Sequence, residues 1–275
     1  MTRFLNFLTA AIAGLIAFTA SPVSAAPPVI LGACQVINVP GTYILGNDLV
    51  AAGGICLDVQ VSRVAIVMAG HTISNGGGGT KGIRIGGVGN PISRVTVRGP
   101  GRITGFNVGC GTDRGVEIGV FDGAVTQRVT VFGLLVDNNC DGISLNGAGT
   151  SDVVIENNIV FDNDREGIRL DNGTHDNVIS KNEVLNNDSH GIGIGDAGTD
   201  DNTVSANNAS YNAIDNIAIF GGTNNNVVDG NVALSAGVND IEDDGTGTIV
   251  SNNTCLVGDP VAACPDLFPG FALDH

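Results

Sequence analysis

A tetrapeptide of the form Gly-Ile-x-Ile/Leu returns along this chain at a nearly constant interval, and that beat restricts the fold more than any other feature. It stands at Gly54-Ile55-Cys56-Leu57, Gly82-Ile83-Arg84-Ile85, Gly115-Val116-Glu117-Ile118 and Gly142-Ile143-Ser144-Leu145. It continues at Gly167-Ile168-Arg169-Leu170 and Gly191-Ile192-Gly193-Ile194, then decays to Asn216-Ile217-Ala218-Ile219. Successive starts are 28, 33, 27, 25, 24 and 25 residues apart.

Other marks keep the same time. Gly-Thr pairs fall at Gly149-Thr150, Gly173-Thr174, Gly198-Thr199, Gly222-Thr223 and Gly245-Thr246, each followed by a short β-branched run such as Val153-Val154-Ile155 or Val227-Val228. Asparagines follow those runs at Asn157, Asn182, Asn207, Asn231 and Asn252. A second series, Asn138, Asn163, Asn187 and Asn212, stands four residues before the tetrapeptide. Each repeat thus holds about three short strands, with apolar residues alternating at period two. Strands this short do not hold together as hairpins. Stacked as coils, they pair backbone groups with the coils above and below, and side chains align in ladders. Asparagine amides suit such ladders because they donate and accept at once, and glycine serves where the chain turns with positive φ.

The expected fold is all-β: a single-stranded parallel β-helix, a solenoid of three-stranded coils of about 24–25 residues. Composition agrees. The chain has 275 residues, 41 of them glycine, with 4% aromatics, no tryptophan and 43% hydrophobic residues. Such a core is built from Val, Ile, Leu and Ala, residues suited to thin stacked sheets. Glycine and asparagine are too dense for the amphipathic stretches of a helical solenoid.

Four segments are expected. Residues 1–25 read as a signal peptide, with Arg3, an apolar run from Phe4 to Ala20, and Val23-Ser24-Ala25 as a small-residue cleavage site. Residues 26–60 read as an N-terminal cap, 61–253 as the β-helix, and 254–275 as a capping tail; ends of a solenoid need covering. No second apolar run of spanning length follows, so no membrane span is expected after signal removal, and the protein is expected to be secreted or periplasmic. Six cysteines fit an oxidising compartment. Their positions suggest Cys34–Cys56, Cys110–Cys140 and Cys255–Cys264, one of about 15 pairings. No CxxC or Cys/His grouping has zinc spacing.

The Gly-Ile-x-Ile/Leu motif with Asn-x-Val-x-x-Asn resembles the right-handed parallel β-helix repeats of the pectin-lyase-like superfamily, over about Cys34 to Cys255. The resemblance, with the general crossover preference, implies right-handed coiling. It is specific for fold and not for activity. That superfamily includes pectin and alginate lyases, polygalacturonases, mannuronan epimerases, phage tailspikes, adhesins and a periplasmic copper-maturation factor. The Asp-Pro-His-Asp motif of the epimerases, the Asn-Thr-Asp and Arg-Ile-Lys elements of polygalacturonases and the tryptophan-bearing signature of pectate lyases are absent.

Stacking predicts where chemistry gathers. In the tetrapeptide the aliphatic residues point inward and x points outward, giving a column Arg84, Glu117, Ser144, Arg169, Gly193. The residue before each glycine gives another: Lys81, Arg114, Asp141, Glu166, His190, Asp215. Asp141, Glu166 and His190 should therefore line up about 5 Å apart, with Arg165 and Arg169 beside them. Three chemistries are open to these five residues. His190 as base with Arg169 or Arg165 as neutraliser suits β-elimination or epimerisation of a uronate. Asp141 and Glu166 could act as paired carboxylates in glycoside hydrolysis. Asp141, Asp164, Glu166 and Asp188 could supply oxygen ligands to calcium. Equally, the column could be a solvated face whose charges compensate one another.

Charge narrows the partners. The net charge is −16. Residues 29–135 hold eight Lys/Arg against five Asp/Glu, whereas residues 136–275 hold three against 23. Nucleic acid is excluded as a partner, for lack of clustered basic residues. The expected function is binding, and processing as lyase, epimerase or hydrolase, of an extracellular or cell-wall polysaccharide. The alternative is a non-catalytic structural or adhesive rod.

Overall fold

A computed structural model of the protein describes residues 26–87, 89–120, 124–259 and 264. The signal-peptide segment 1–25 and most of the capping tail lie outside the described residues. Among the described residues there is no helix; the chain winds through parallel strands into a β-solenoid. Ten of these strands, from Gln35–Ile37 through Asp141–Asn146, Ile168–Asp171 and Ile192–Ile194 to Gly258–Asp259, form one sheet in which each strand pairs with its counterpart one coil away. This short-strand sheet carries the tetrapeptides. A second set of seventeen strands makes the remaining walls. There the long strands Ile92–Thr104 and Thr126–Asp137 pair in parallel, with a shift of register between Phe132 and Leu134. The segment 26–60 is itself wound into coils: Val29–Leu31 pairs with Gly41–Leu45, and Gln35–Ile37 with Gly54–Val59.

The register places the repeats on top of one another. Ile143 pairs with Ile168, Ile168 with Ile192 and Ile192 with Ile217, all fully buried. Inward aliphatics from each wall therefore meet in a continuous core from Leu31 to Ile241. Burying each such side chain contributes about 1.5–3 kcal/mol.

Three buried asparagine ladders hold the corners. In one, Asn158 Oδ1 accepts from the Leu134 N–H, and Asn158 donates to Asn182, Asn182 to Asn207 and Asn207 to Asn231 through both N–H and Nδ2. Asn253 ends this series. A second runs Asn139, Asn163, Asn187, Asn212 and Asn216. A third, Asn177, Asn202 and Asn226, was not read from the sequence. The first two correct the expected series by one residue: Asn138, Asn157 and Asn252 stand just outside the ladders. All three adopt left-handed backbone, at φ of 52°, 54° and 55°, which asparagine tolerates at a turn.

The tetrapeptide glycine has a different reason from the one expected. Gly142 has no positive φ; a Cβ there would strike Gly167 O at 2.5 Å and Val160 Cγ1 at 2.6 Å. Gly167 and Gly191 meet the same obstacle. Close approach of coil and ladder requires glycine here. Positive φ occurs at Gly54 of the first tetrapeptide, at 60°, and at turn glycines such as Gly173 and Gly198, both at 84°.

Disulfides join Cys34 to Cys56, Cys110 to Cys140 and Cys255 to Cys264. Among the described residues no helix is long and apolar enough to cross a membrane.

Candidate functional site

Both outward columns form as the repeat demands. Lys81, Arg114 and Asp141 are register partners, as are Arg84, Glu117, Ser144, Arg169 and Gly193. Oppositely charged side chains pair between neighbouring coils. Lys81 Nζ lies 3.5 Å from Glu117 Oε2, and Arg84 makes a two-pronged contact with Asp58, 2.8 Å at each nitrogen. Arg114 Nε lies 2.9 Å from Asp141 Oδ2. Arg165 stands 3.8 Å from Asp141 Oδ1 and 3.6 Å from Glu166 Oε2. His190 sits between Glu166, 3.9 Å from Nδ1, and Asp215, 3.2 Å from Nε2. The structure thus brings Asp141, Glu166, Arg165, Arg169 and His190 together on one face.

These residues are not equivalent. Asp141 is fully buried, and neither of its carboxylate oxygens is hydrogen-bonded; Arg114 Nε is near but not aimed at it. Burial, opposed by Arg114 and reinforced by the neighbouring Glu166, pushes the Asp141 carboxyl up to about 6. Glu166 responds the opposite way. Burial alone would raise it, but His190, Asp141 and the two arginines bring it down to about 2. For His190, burial would lower the pKa, but contacts with Asp215 and Glu166 push it up to about 9. The imidazole is therefore a cation at neutral pH, which does not suit the base role, one of those the sequence left open to it. Asp141 and Glu166 both flank Arg165, and Asp141 holds its proton to higher pH than Glu166.

An open cavity of about 410 Å³ begins beside Glu166. Arg169 and Asp171, alternate outward residues of the Ile168–Asp171 strand, form one side and are ion-paired to each other. Gly193 and Gly195 form the floor, and Phe220 and Asp196 the far side. The floor exists because Gly193 occupies an x position without a side chain: the nearest atoms to a Cβ there, Glu166 Cγ and Phe220 Cε2, are 3.8 Å away. Phe220 packs perpendicular to the His190 ring at 5.1 Å. Burial, opposed by Arg169 and helped by Asp196 and Glu166, pushes the Asp171 carboxyl up to about 6.

Asp171 and Phe220 were missed as site residues. The signal for Asp171 was its place two residues after Arg169, hence on the same face. Phe220 follows the last, decayed tetrapeptide, opposite the gap that Gly193 leaves.

Metal-capable donors are few. Among the described residues, Cys110, Cys140 and Asp164 come together, but the cysteines are disulfide-bonded; the other group is His190, Asp215 and Glu242. The four acids Asp141, Asp164, Glu166 and Asp188 do not form such a group. Burial and the nearby Asp215 push Glu242 up to about 7, so this trio holds protons of its own.

Comparison with solved structures gives likenesses in fold. The mannuronan C-5 epimerase AlgE6 A-module of Azotobacter vinelandii matches with TM-score 0.56 and 16% identity, over 78% of this chain and 67% of that one. The Dettilon tailspike protein matches with TM-score 0.58 and 17% identity, over 83% and 55%, so this chain spans about half of it. An alginate lyase from Paenibacillus sp. str. FPU-7 matches with TM-score 0.54 and 20% identity, over 70% and 69%. No curated protein matches in sequence. A family model described as periplasmic copper-binding protein (NosD) matches residues 66–256, more than half of the sequence. With its register-stacked coils and asparagine ladders, the chain belongs to the NosD family of right-handed β-helix proteins.

Proposed function

We propose that the protein binds a hydroxyl-rich, predominantly neutral polysaccharide in the cavity on the short-strand sheet. The observation that carries this reading is the cavity itself: Phe220 as an apolar wall, a glycine floor, and Glu166, Arg169, Asp171 and Asp196 converging on it. Planar charged groups of this kind bond vicinal hydroxyls, and an aromatic side chain covers apolar sugar faces. Three carboxyl groups face one guanidinium, which is already paired with Asp171. A uronate chain would meet repulsion unless cations such as calcium bridged it. The structural likenesses include proteins named as alginate lyase and mannuronan epimerase, which supports a polysaccharide ligand in general. The disulfides and the leader-like residues 1–25 support a secreted or periplasmic setting.

One observation favours processing as well. Glu166 and Asp171 lie on either side of Arg169 with pKa values pushed apart, to about 2 and about 6. Such a split is the one that a carboxylate and a proton donor require. In hydrolysis Asp171 would protonate the glycosidic oxygen while Glu166 attacks or activates water.

The family's description names copper, and the donors here do not fit it. Every described cysteine is oxidised, Met68 is fully buried in the core, and His71, His175 and His190 each face their own carboxylate. Cuprous copper prefers thiolate and thioether donors. The remaining trio offers one imidazolium and two carboxyl groups.

The test is a panel of cello-, xylo- and manno-oligosaccharides beside oligogalacturonate and oligoguluronate, with and without calcium. Binding and new reducing ends are followed together. Neutral-glycan binding supports the reading, and product adds hydrolysis to it. No binding at all leaves the chain as a structural rod.

A further inference from the structure

At one corner of the solenoid six successive coils turn through a residue in left-handed backbone. These are Arg63, Arg94, Arg128, Asp152, Asp176 and Asp201, with φ between 53° and 63°. The register of the strands that follow stacks them in one column, one coil apart. All six are exposed. Aspartate suits this conformation, because its short polar side chain bonds the local backbone; arginine has no such local reason to be there.

The charges run three positive and then three negative. Pro40 before them and Asn225 after them add no further charge to the column. Among the described residues none of the three arginines is ion-paired; of the aspartates, Asp176 faces His175 at 2.8 Å. On the short-strand sheet opposite charges meet between coils. Here like stacks on like at about 5 Å, which destabilises a single copy. The order reverses its sign about the gap between Arg128 and Asp152, so the column is complementary to itself turned end for end. The next outward column, Thr96, Thr130, Val154 and Val178, is uncharged. None of these residues lines the groove beside Glu166.

We infer that this corner is the contact between two copies of the chain, lying antiparallel about a two-fold axis at right angles to the solenoid axis and level with that gap. Such a contact presents the same patch from both copies. Arg128 meets Asp152 of the second copy, Arg94 meets Asp176 and Arg63 meets Asp201, and each pair is made twice. Exposed ion pairs contribute little singly; six in one register, beside the threonine and valine column packed on its own counterpart, select this orientation against the parallel one. The glycan groove stays open in the dimer.

Sedimentation equilibrium of the full chain tests it. Dimers are expected at low ionic strength and monomers at about 1 M salt, where the screening length falls to about 3 Å. Arg63→Asp/Arg94→Asp/Arg128→Asp and Asp152→Arg/Asp176→Arg/Asp201→Arg each give a column of one sign. Each variant alone is expected to dissociate at least a hundredfold more readily than wild type, and an equimolar mixture of the two is expected to form heterodimers. Both residue types already occupy this corner in left-handed backbone, so both variants are expected to melt as wild type does. The single exchanges Arg94→Asp and Asp176→Arg, separate and mixed, repeat the test where a triple variant does not fold. A wild type that stays monomeric at low salt would overturn the inference. So would a dimer that survives both reversals, which would place the contact on another face. Binding of oligogalacturonate by a monomer, lost in the arginine variant, would assign the arginines to an anionic glycan and overturn it as well.

Discussion

His190 Nε2 lies 3.2 Å from Asp215 Oδ2 on the neighbouring coil, and the ring's other nitrogen faces Glu166. Against the effect of burial, this flanking by two carboxylates keeps the imidazole charged up to about pH 9. An NMR titration of the ring should show one transition near 9. A midpoint near 6.5 would mean that the two carboxylates do not hold the proton.

Stability should follow pH with a definite sign. His190, raised from 6.5 to about 9, stabilises the fold fully below 6.5 and loses that contribution as pH rises through 9. Glu242, Asp171 and Asp141, raised to about 7, 6 and 6, act in the same direction over lower windows. Glu166, lowered to about 2, contributes above 4.5 and loses its contribution as pH falls through 2. Urea midpoints should therefore be highest near pH 4.5 and decline steadily to pH 9.5. A maximum near pH 8 would contradict the assigned shifts.

The ladders make a sharp comparison between an asparagine inside a ladder and one just outside it. Asn182 Oδ1 accepts from Asn158 N and Nδ2, while Asn182 Nδ2 donates to Ile155 O and Asn207 Oδ1, all near 3.0 Å and buried. Asn182→Ala orphans several of these groups, each costing about 1–3 kcal/mol, so a loss of about 3 kcal/mol or more is expected in urea unfolding. Asn157→Gly, at an exposed left-handed position, should change stability by less than about 0.5 kcal/mol.

Glycine packing allows a second paired test. Gly142→Ala places a methyl 2.5 Å from Gly167 O and should destabilise by about 1–3 kcal/mol. Gly193→Ala meets only ordinary contacts and should leave the melting temperature unchanged.

The coil was legible because its period forces far-apart residues into register; Lys81, Arg114 and Asp141 stack as the spacing alone requires. Which asparagine of a pair turns inward was not legible. Asn138 and Asn139, or Asn157 and Asn158, differ only in backbone φ, and that is settled by where the strand ends. The site was half legible. Glu166 and Arg169 follow from the motif, but the cavity depends on what is missing at Gly193 and on Phe220 beyond the last clear repeat. A base role was open to His190 from its residue type, whereas its charge is set by Asp215 together with Glu166, its neighbours on either side in the same column.

The central claim is that a glycan occupies the space above Gly193. Calorimetric binding of the best panel oligosaccharide to wild type and to Gly193→Leu measures this directly, since the leucine fills the cavity without forcing a positive φ. The account predicts at least a tenfold weaker affinity with an unchanged melting temperature. Equal affinity in a variant that folds normally would place the ligand elsewhere.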